Sequence, residues 1–244
     1  MHALIYFLLL NKYKYMLDIS FSKLLNYLRD RDIRVLPLEF RSADYIALDL
    51  SETNLELQSV DSSSSQRLSI FINAYLKQNK AKVAFGGYLE VRTLYKRSAY
   101  FNSENQNTAR NIHLGVDLWC DAGTPILAAL DGHIHSFQNN TNFGDYGPTI
   151  ILKHEVSNVE FYTLYGHLSL ESISNIKVGQ GVKQGQEIAC LGTSAVNGDY
   201  PPHLHFQIIK DIATYSGDYP GVCNVSDLAF YTANCPNPNL LLKI

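Results

Sequence analysis

The sequence predicts an α+β protein, in which a mainly antiparallel β domain follows a small α/β appendage. From about Gly86, short β-branched and aromatic runs are separated by Gly, Asn, Asp and Pro, which is typical of antiparallel sheets. Before that point, two stretches carry apolar residues at helical spacing. The predicted segments are residues 1–15 (an uncertain leader or a misassigned start), 16–85 (the appendage), 86–210 (the β domain) and 211–244 (a tail packed on it).

The appendage contains the helical patterns. Residues 18–30 place apolar side chains at helical spacing after an Asp or Ser cap, which predicts a first helix. Residues 66–78 follow a Ser-rich break and predict a second amphipathic helix. Between the helices, residues 33–40 alternate as a strand does. No part of the appendage clusters the residue types that catalysis needs.

The composition excludes two function classes. The chain has 244 residues, 46% of them apolar and 18% charged, as in ordinary globular proteins that bury a sizeable core. Its formal net charge is −3, and Lys and Arg are scattered without a basic run. We therefore expect neither a nucleic-acid-binding protein nor a membrane-surface protein.

The first fifteen residues leave the location of the protein open. The apolar run over residues 3–10 is too short to span a bilayer, so we expect no stable membrane span. It resembles the apolar part of an export signal, but no Lys or Arg precedes it and no Ala-x-Ala site follows. A degenerate signal would direct the chain to the periplasm, cell envelope or medium. A natural start at Met16 would leave it in the cytoplasm, and a genuine amino-terminal element is the third alternative.

The four cysteines do not form a zinc-binding or redox motif. Cys120, Cys190, Cys223 and Cys235 show no Cys-x-x-Cys spacing. We expect free structural thiols, with a Cys223–Cys235 disulfide as the alternative if the protein is secreted.

The candidate functional residues are histidines and an aspartate in three short motifs: His113 to Asp117, Tyr-Gly-His167, and His203 to His205. His203 and His205 lie two apart in a strand-like run, so both imidazoles face one side. His113 and Asp117 flank Gly115, and an extended segment would also place them on one face. A site with two imidazoles, one carboxylate and a position left for water is typical of catalytic Zn²⁺. Each motif alone would more often be a solvated or structural pair; their joint occurrence favours a site.

The motifs together resemble the lysostaphin/LytM zinc peptidases. The matching elements, over roughly residues 110–210, are H-x-G-x-D (113–117), G-T-P-x-x-A with D-G (123–132), L-Y-G-H-L (164–168), G-x-x-V-x-x-G-x-x-I-A (179–189) and P-H-L-H-F (202–206). The resemblance implies a β-sheet groove with loop walls. It also implies that His113, Asp117 and His205 bind Zn²⁺ and that His167 and His203 are catalytic.

The activity implied by this resemblance is an endopeptidase acting on peptidoglycan, in the stem peptide or the cross-bridge. One alternative is an intracellular zinc hydrolase acting on a non-wall amide, motivated by the poor export signal. The other is a non-catalytic regulator, which is disfavoured because all five matching residues are present.

Other features are predicted to have supporting roles. We expect the loops at residues 139–147 and 194–202 to form groove walls and Trp119 to pack rather than touch substrate. His133 and His135 are expected at the rim, and His154 is expected to be structural.

Overall fold

The computed structural model describes residues 21–37, 39–98, 101 and 108–244. The expectations for the leader (1–15) and for a start at Met16 lie outside these residues. Within them, the structure contains no helix long and apolar enough to cross a membrane.

The fold is dominated by β-strands, and the predicted class is confirmed. The strands are β1 (Tyr45–Ala47), β2 (Val83–Gly86), β3 (Ile112–His113), β4 (Val116–Trp119), β5 (Pro125–Leu127), β6 (Gly132–Asn140), β7 (Gly147–Val156), β8 (Val159–Gly166), β9 (Gly181–Val182), β10 (Glu187–Cys190), β11 (His203–Ile209) and β12 (Val222–Cys223). The α-helices are α1 (residues 21–28), α2 (Ser65–Asn79), α3 (Leu228–Asn234) and α4 (Asn239–Leu242). Short 3₁₀ helices span Ser42–Asp44, Leu57–Ser59, Leu94–Arg97 and Leu170–Ile173.

Within the described residues, eight strands form one sheet in the order β1-β2-β4-β11-β8-β7-β6-β9. All neighbours pair antiparallel except β1 with β2. The long hairpin β7–β8 turns at Ser157 and Asn158, whose φ angles are 54° and 62°. Two consecutive left-handed residues suit the right-handed twist of paired strands, so this turn sets the register of the hairpin. The central strand β11 therefore lies between β4 and β8.

The appendage adds strands to the edge of this sheet. Strand β2 pairs with β4, with Gly86 opposite Asp117. The predicted boundary at residue 85 stays a prediction. The predicted helix over 66–78 is confirmed as α2, which begins after Ser64, whose side chain accepts a hydrogen bond from the backbone of Arg67. Of the helix predicted over 18–30, the described part is α1.

The strand predicted over residues 33–40 is wrong, because the described residues 33–37 and 39–40 form no strand. Val35 and Leu36 are buried in the main core, and the carbonyl of Val35 accepts a hydrogen bond from the backbone of Leu127. The apolar spacing thus serves an irregular segment that covers the core. Pro37 lacks the N–H that a strand ladder needs.

The carboxy-terminal tail pairs with the short strand that carries His113. Strand β12 pairs with β3, with Val222 opposite His113. The four cysteines are free, as predicted, although Cys223 and Cys235 are both buried.

Candidate metal centre

Successive side chains of β11 face, in turn, the hydrophobic core and the candidate metal site. Its apolar side chains Leu204, Phe206 and Ile208 lie in the main hydrophobic core. Successive strand residues point to opposite faces, so His203 and His205 project to the other side of the sheet. The register places His205 opposite Asp117 on β4 and opposite Gly166 at the end of β8.

Two other histidines, His113 and His167, reach the same site because the backbone leaves the regular strand conformation next to each of them. Strands β3 and β4 are separated by Leu114 and Gly115, which allows His113 to turn toward Asp117. His167 follows β8 directly and has a φ of 63°, a left-handed conformation that turns the chain at the end of the strand. The structure therefore brings together all five residues singled out in the sequence.

Potential metal-ligating atoms of His113, Asp117 and His205 converge on one point. Nε2 of His113 lies 2.8 Å from Nδ1 of His205 and 3.2 Å from Oδ1 of Asp117. Nδ1 of His205 also lies 3.2 Å from that oxygen. A tetrahedral ion with bonds of about 2.0–2.1 Å would place its ligand atoms about 3.3 Å apart. The three residues therefore form a group that could hold a metal ion.

Hydrogen bonds behind the two imidazoles fix their tautomers. Nδ1 of His113 lies 2.9 Å from the carbonyl oxygen of Gly87, and Nε2 of His205 lies 2.9 Å from Oε1 of Gln207. Because these oxygens only accept, the facing nitrogens carry hydrogen. The lone pairs are consequently on His113 Nε2 and His205 Nδ1, the atoms that converge.

His167 and His203 are held in the same manner. Nδ1 of His167 donates to the carbonyl oxygen of Asn197 (2.8 Å), and Nδ1 of His203 donates to that of Pro201 (2.7 Å). Their ring centroids are 4.1 Å apart. Nε2 of His203 is 3.9 Å from Oδ1 of Asp117. Both rings thus direct an unprotonated nitrogen away from the backbone that anchors them.

Burial keeps these imidazoles neutral. It lowers the pKa of His113 to about 3, and it lowers the pKa values of His167 and His203 as well. For Asp117, burial alone would raise the pKa, but His113 and Arg92 more than offset it and hold the pKa well below the ordinary value. Neutral imidazoles and an ionised carboxylate are the protonation states that metal binding requires.

A cavity of about 300 Å³ lies over this group. Both predicted wall loops contribute to it, through Gly144 and Tyr200, and the Tyr200 hydroxyl donates to the carbonyl oxygen of Gly144 (2.7 Å). Trp119 is buried and stacks on His203, with ring centroids 5.8 Å apart. Sequence reasoning missed two further parts of the lining, around Arg92 and at residues 218–224.

The remaining described histidines lie apart from this centre. His154 is fully buried, donates from Nδ1 to the Asp131 carbonyl oxygen (2.9 Å) and accepts from the Thr163 hydroxyl (2.7 Å). Its predicted structural role is confirmed. His133 is exposed and His135 half-buried, as expected of rim residues.

Comparison with known proteins agrees with this geometry. Residues 111–216, which include all five site residues, match peptidase family M23. This segment of the chain is a peptidase family M23 domain. This confirms the resemblance to lysostaphin/LytM peptidases inferred from the motifs.

Three relatives of the M23 segment are named as peptidases, and one of them is named for peptidoglycan. The segment is 39% identical to the peptidoglycan DD-endopeptidase ShyC of Vibrio cholerae, over 40% of this chain and 20% of the relative. It is 29% identical to an L-Ala–D-Glu endopeptidase of Bacillus subtilis, over 50% of this chain and 37% of the relative. The catalytic domain of the antimicrobial peptidase lysostaphin from Staphylococcus simulans matches at 31% identity, over 50% of this chain and 80% of that domain, with a TM-score of 0.35. The chain thus spans well under half of either curated relative.

Proposed function

We propose that this chain is a zinc-dependent endopeptidase that hydrolyses peptide bonds of peptidoglycan, in stem peptides or cross-bridges. One observation carries the proposal: the potential metal-ligating atoms of His113, Asp117 and His205 lie within 4.8 Å of one another. Two further imidazoles, His167 and His203, stand beside them. Such a constellation is typical of hydrolytic metal sites rather than of a structural site.

We assign Zn²⁺ to His113, Asp117 and His205. Two imidazoles and one carboxylate leave a coordination position for water or substrate, as in catalytic zinc sites. When bound there, zinc would lower the pKa of a water from 15.7 in bulk to about 7 and polarise the scissile carbonyl. Structural zinc sites are closed and usually contain thiolates, whereas the ligand group found here contains no cysteine.

We assign proton transfer to His167 and His203. Each is locked by a backbone carbonyl at Nδ1, so Nε2 is free to accept a proton from the attacking water. Once protonated, the same nitrogen donates to the departing amine. Burial lowers the pKa of both groups, so they are in the accepting form at neutral pH. A positioned acid–base group typically contributes about 10²- to 10⁴-fold in rate.

The substrate class rests on the relatives. ShyC is named a DD-endopeptidase and the Bacillus subtilis relative an L-Ala–D-Glu endopeptidase, so their names specify different bonds. What they share is peptide cleavage, and the first name specifies peptidoglycan. We therefore propose wall peptides as the class without choosing the bond.

The test is digestion of purified peptidoglycan by the zinc-loaded chain, with the released fragments identified by mass spectrometry. New amino termini within stem peptides or cross-bridges are expected, and they should disappear with a chelator and in Asp117→Ala. His133→Ala, which changes an exposed histidine away from the site, is the matched control and should remain active. Stoichiometric zinc binding without any new peptide terminus, from peptidoglycans of several cross-bridge types, would refute the proposal.

A further inference from the structure

The residues that hold two of the three proposed ligands lie outside the family match. Gly87 and Arg92 precede the M23 segment, which begins at residue 111. The Gly87 carbonyl oxygen accepts from Nδ1 of His113 at 2.9 Å. Nη1 of Arg92 donates to Oδ2 of Asp117 at 2.6 Å, whereas Oδ1 is the oxygen that lies 3.2 Å from both His113 and His205.

Arg92 is itself held rigidly. Its Nε donates to Oε2 of Glu90 at 2.5 Å, and Oε1 of Glu90 accepts from the backbone N–H of Leu50 at 3.0 Å. The side chain of Arg92 is 3% exposed and that of Glu90 is 11% exposed. A planar guanidinium shared between a buried and a partly buried carboxylate has little freedom, so it fixes the orientation of both.

The backbone of this segment is joined directly to the strand that carries His113. Leu89 N–H donates to the His113 carbonyl oxygen (2.8 Å), and His113 N–H donates to the Glu90 carbonyl oxygen (3.0 Å). Arg92 N–H donates to the Asn111 carbonyl oxygen (2.9 Å). Residues 87–92 therefore cannot move without moving the ligand strand.

Gly87 is required for this arrangement. Its φ is +102°, a conformation that side chains rarely adopt. A Cβ at this position would lie 1.9 Å from Nη2 of Arg92 and 2.9 Å from Nδ1 of His113. Any larger residue would therefore displace both Arg92 and the proposed ligand His113.

We propose that residues 87–92 are a positioning element of the metal site, in which Gly87 orients His113 and Arg92 orients Asp117. The inference rests on the proposed ligand roles of these two residues. Asp117 would bind through Oδ1 because Oδ2 is already taken by Arg92. Groups that orient metal ligands typically contribute about 10- to 100-fold in metal affinity.

The test is zinc affinity, measured by competition with a chromophoric chelator. Arg92→Lys keeps the positive charge but cannot bridge both carboxylates, so zinc affinity should fall about 10- to 100-fold. The visible spectrum of the Co²⁺-loaded variant should also change, because the geometry around the ion is altered. Urea unfolding without metal verifies that the variant is folded.

Arg97→Lys is the matched control. Arg97 is also buried and pairs with a carboxylate, that of Asp199 at 3.2 Å, but it contacts none of the proposed ligands. Its zinc affinity and Co²⁺ spectrum should equal those of the wild type. If Arg92→Lys does not fold, Gly87→Ala, which retains both charges, should show the same loss of affinity.

The failure of this inference differs from failure of the proposed function. A folded Arg92→Lys variant that binds zinc as tightly as Arg97→Lys, with an unchanged Co²⁺ spectrum, would overturn the positioning role alone. A wild-type chain that binds no zinc at the site would instead overturn the proposed function.

Discussion

Oε1 of Gln207 lies 2.9 Å from Nε2 of His205, on the side of the ring opposite the proposed metal position. The amide nitrogen of Gln207 donates to the Pro220 carbonyl oxygen at 3.1 Å and to Sγ of Cys235 at 3.3 Å. These two acceptors dictate which end of the amide faces the histidine. The tail, which has no evident function in the sequence, therefore helps to orient a proposed ligand.

The first prediction follows from this contact. Gln207→Leu removes the acceptor that keeps hydrogen on Nε2 of His205, so the ring can rotate or change tautomer. We expect zinc affinity to fall about 10- to 100-fold, measured by chelator competition. Gln138→Leu, on an exposed part of β6, is the control. Equal affinities for the two variants would contradict the prediction.

The second prediction concerns Gly115, which separates His113 from Asp117. A Cβ there would lie 2.6 Å from Cε1 and 2.7 Å from Nε2 of His205, and 2.8 Å from the Phe206 carbonyl oxygen. Gly115→Ala should therefore displace His205 and abolish stoichiometric zinc binding, measured by elemental analysis after gel filtration. Gly181→Ala meets nothing within 4 Å and should retain one zinc. Full occupancy in Gly115→Ala would refute this explanation of the glycine.

The sequence predicts the site where local geometry determines it. Two residues separated by one on a strand face the same side, so His203 and His205 could be paired before the fold was known. The approach of β4 and β8 to β11 has no such local signal, because it depends on contacts distant in sequence. The resemblance of the motifs to the peptidase family, rather than the periodicity of the sequence, predicted that residues on these strands meet at one site.

Two other features show what local patterns leave out. Arg92 attracts no attention in the sequence because its partner Asp117 is 25 residues away, and a lone Glu-x-Arg is common on solvated strands. Residues 33–40 alternate like a strand, yet they form an irregular cover over the core. Alternation reports which side chains are buried, whereas a strand also needs a partner for its backbone.

The third prediction separates metal binding from proton transfer. His203→Ala and His167→Ala leave the three proposed ligands in place, so both variants should retain zinc while hydrolysis of peptidoglycan falls about 10²- to 10⁴-fold. Asp117→Ala should lose zinc and activity together. The checks are elemental analysis and fragment release on the same samples. Zinc-loaded His203→Ala with wild-type hydrolysis would remove His203 from the mechanism.

The fourth prediction is the pH dependence of stability caused by His154, away from the metal centre. Burial lowers the pKa of His154 to about 4, whereas an unfolded histidine titrates near 6.5. Between these values the unfolded chain binds a proton that the native chain does not. Stability from this group is therefore complete above the unfolded pKa and is lost as the pH falls toward 4.

The expected size of this effect can be measured by comparing variants. At pH 5 the unfolded state gains about 2 kcal/mol from protonation of this one residue, at about 1.4 kcal/mol for each pH unit below 6.5. His154→Asn should lose that much less stability than the wild type between pH 7 and pH 5 in urea unfolding without metal. His133→Asn, which changes an exposed histidine, should follow the wild type. Parallel pH profiles for wild type and His154→Asn would show that His154 carries its proton in the folded state, and that its hydrogen bonds to Asp131 and Thr163 tolerate the charge.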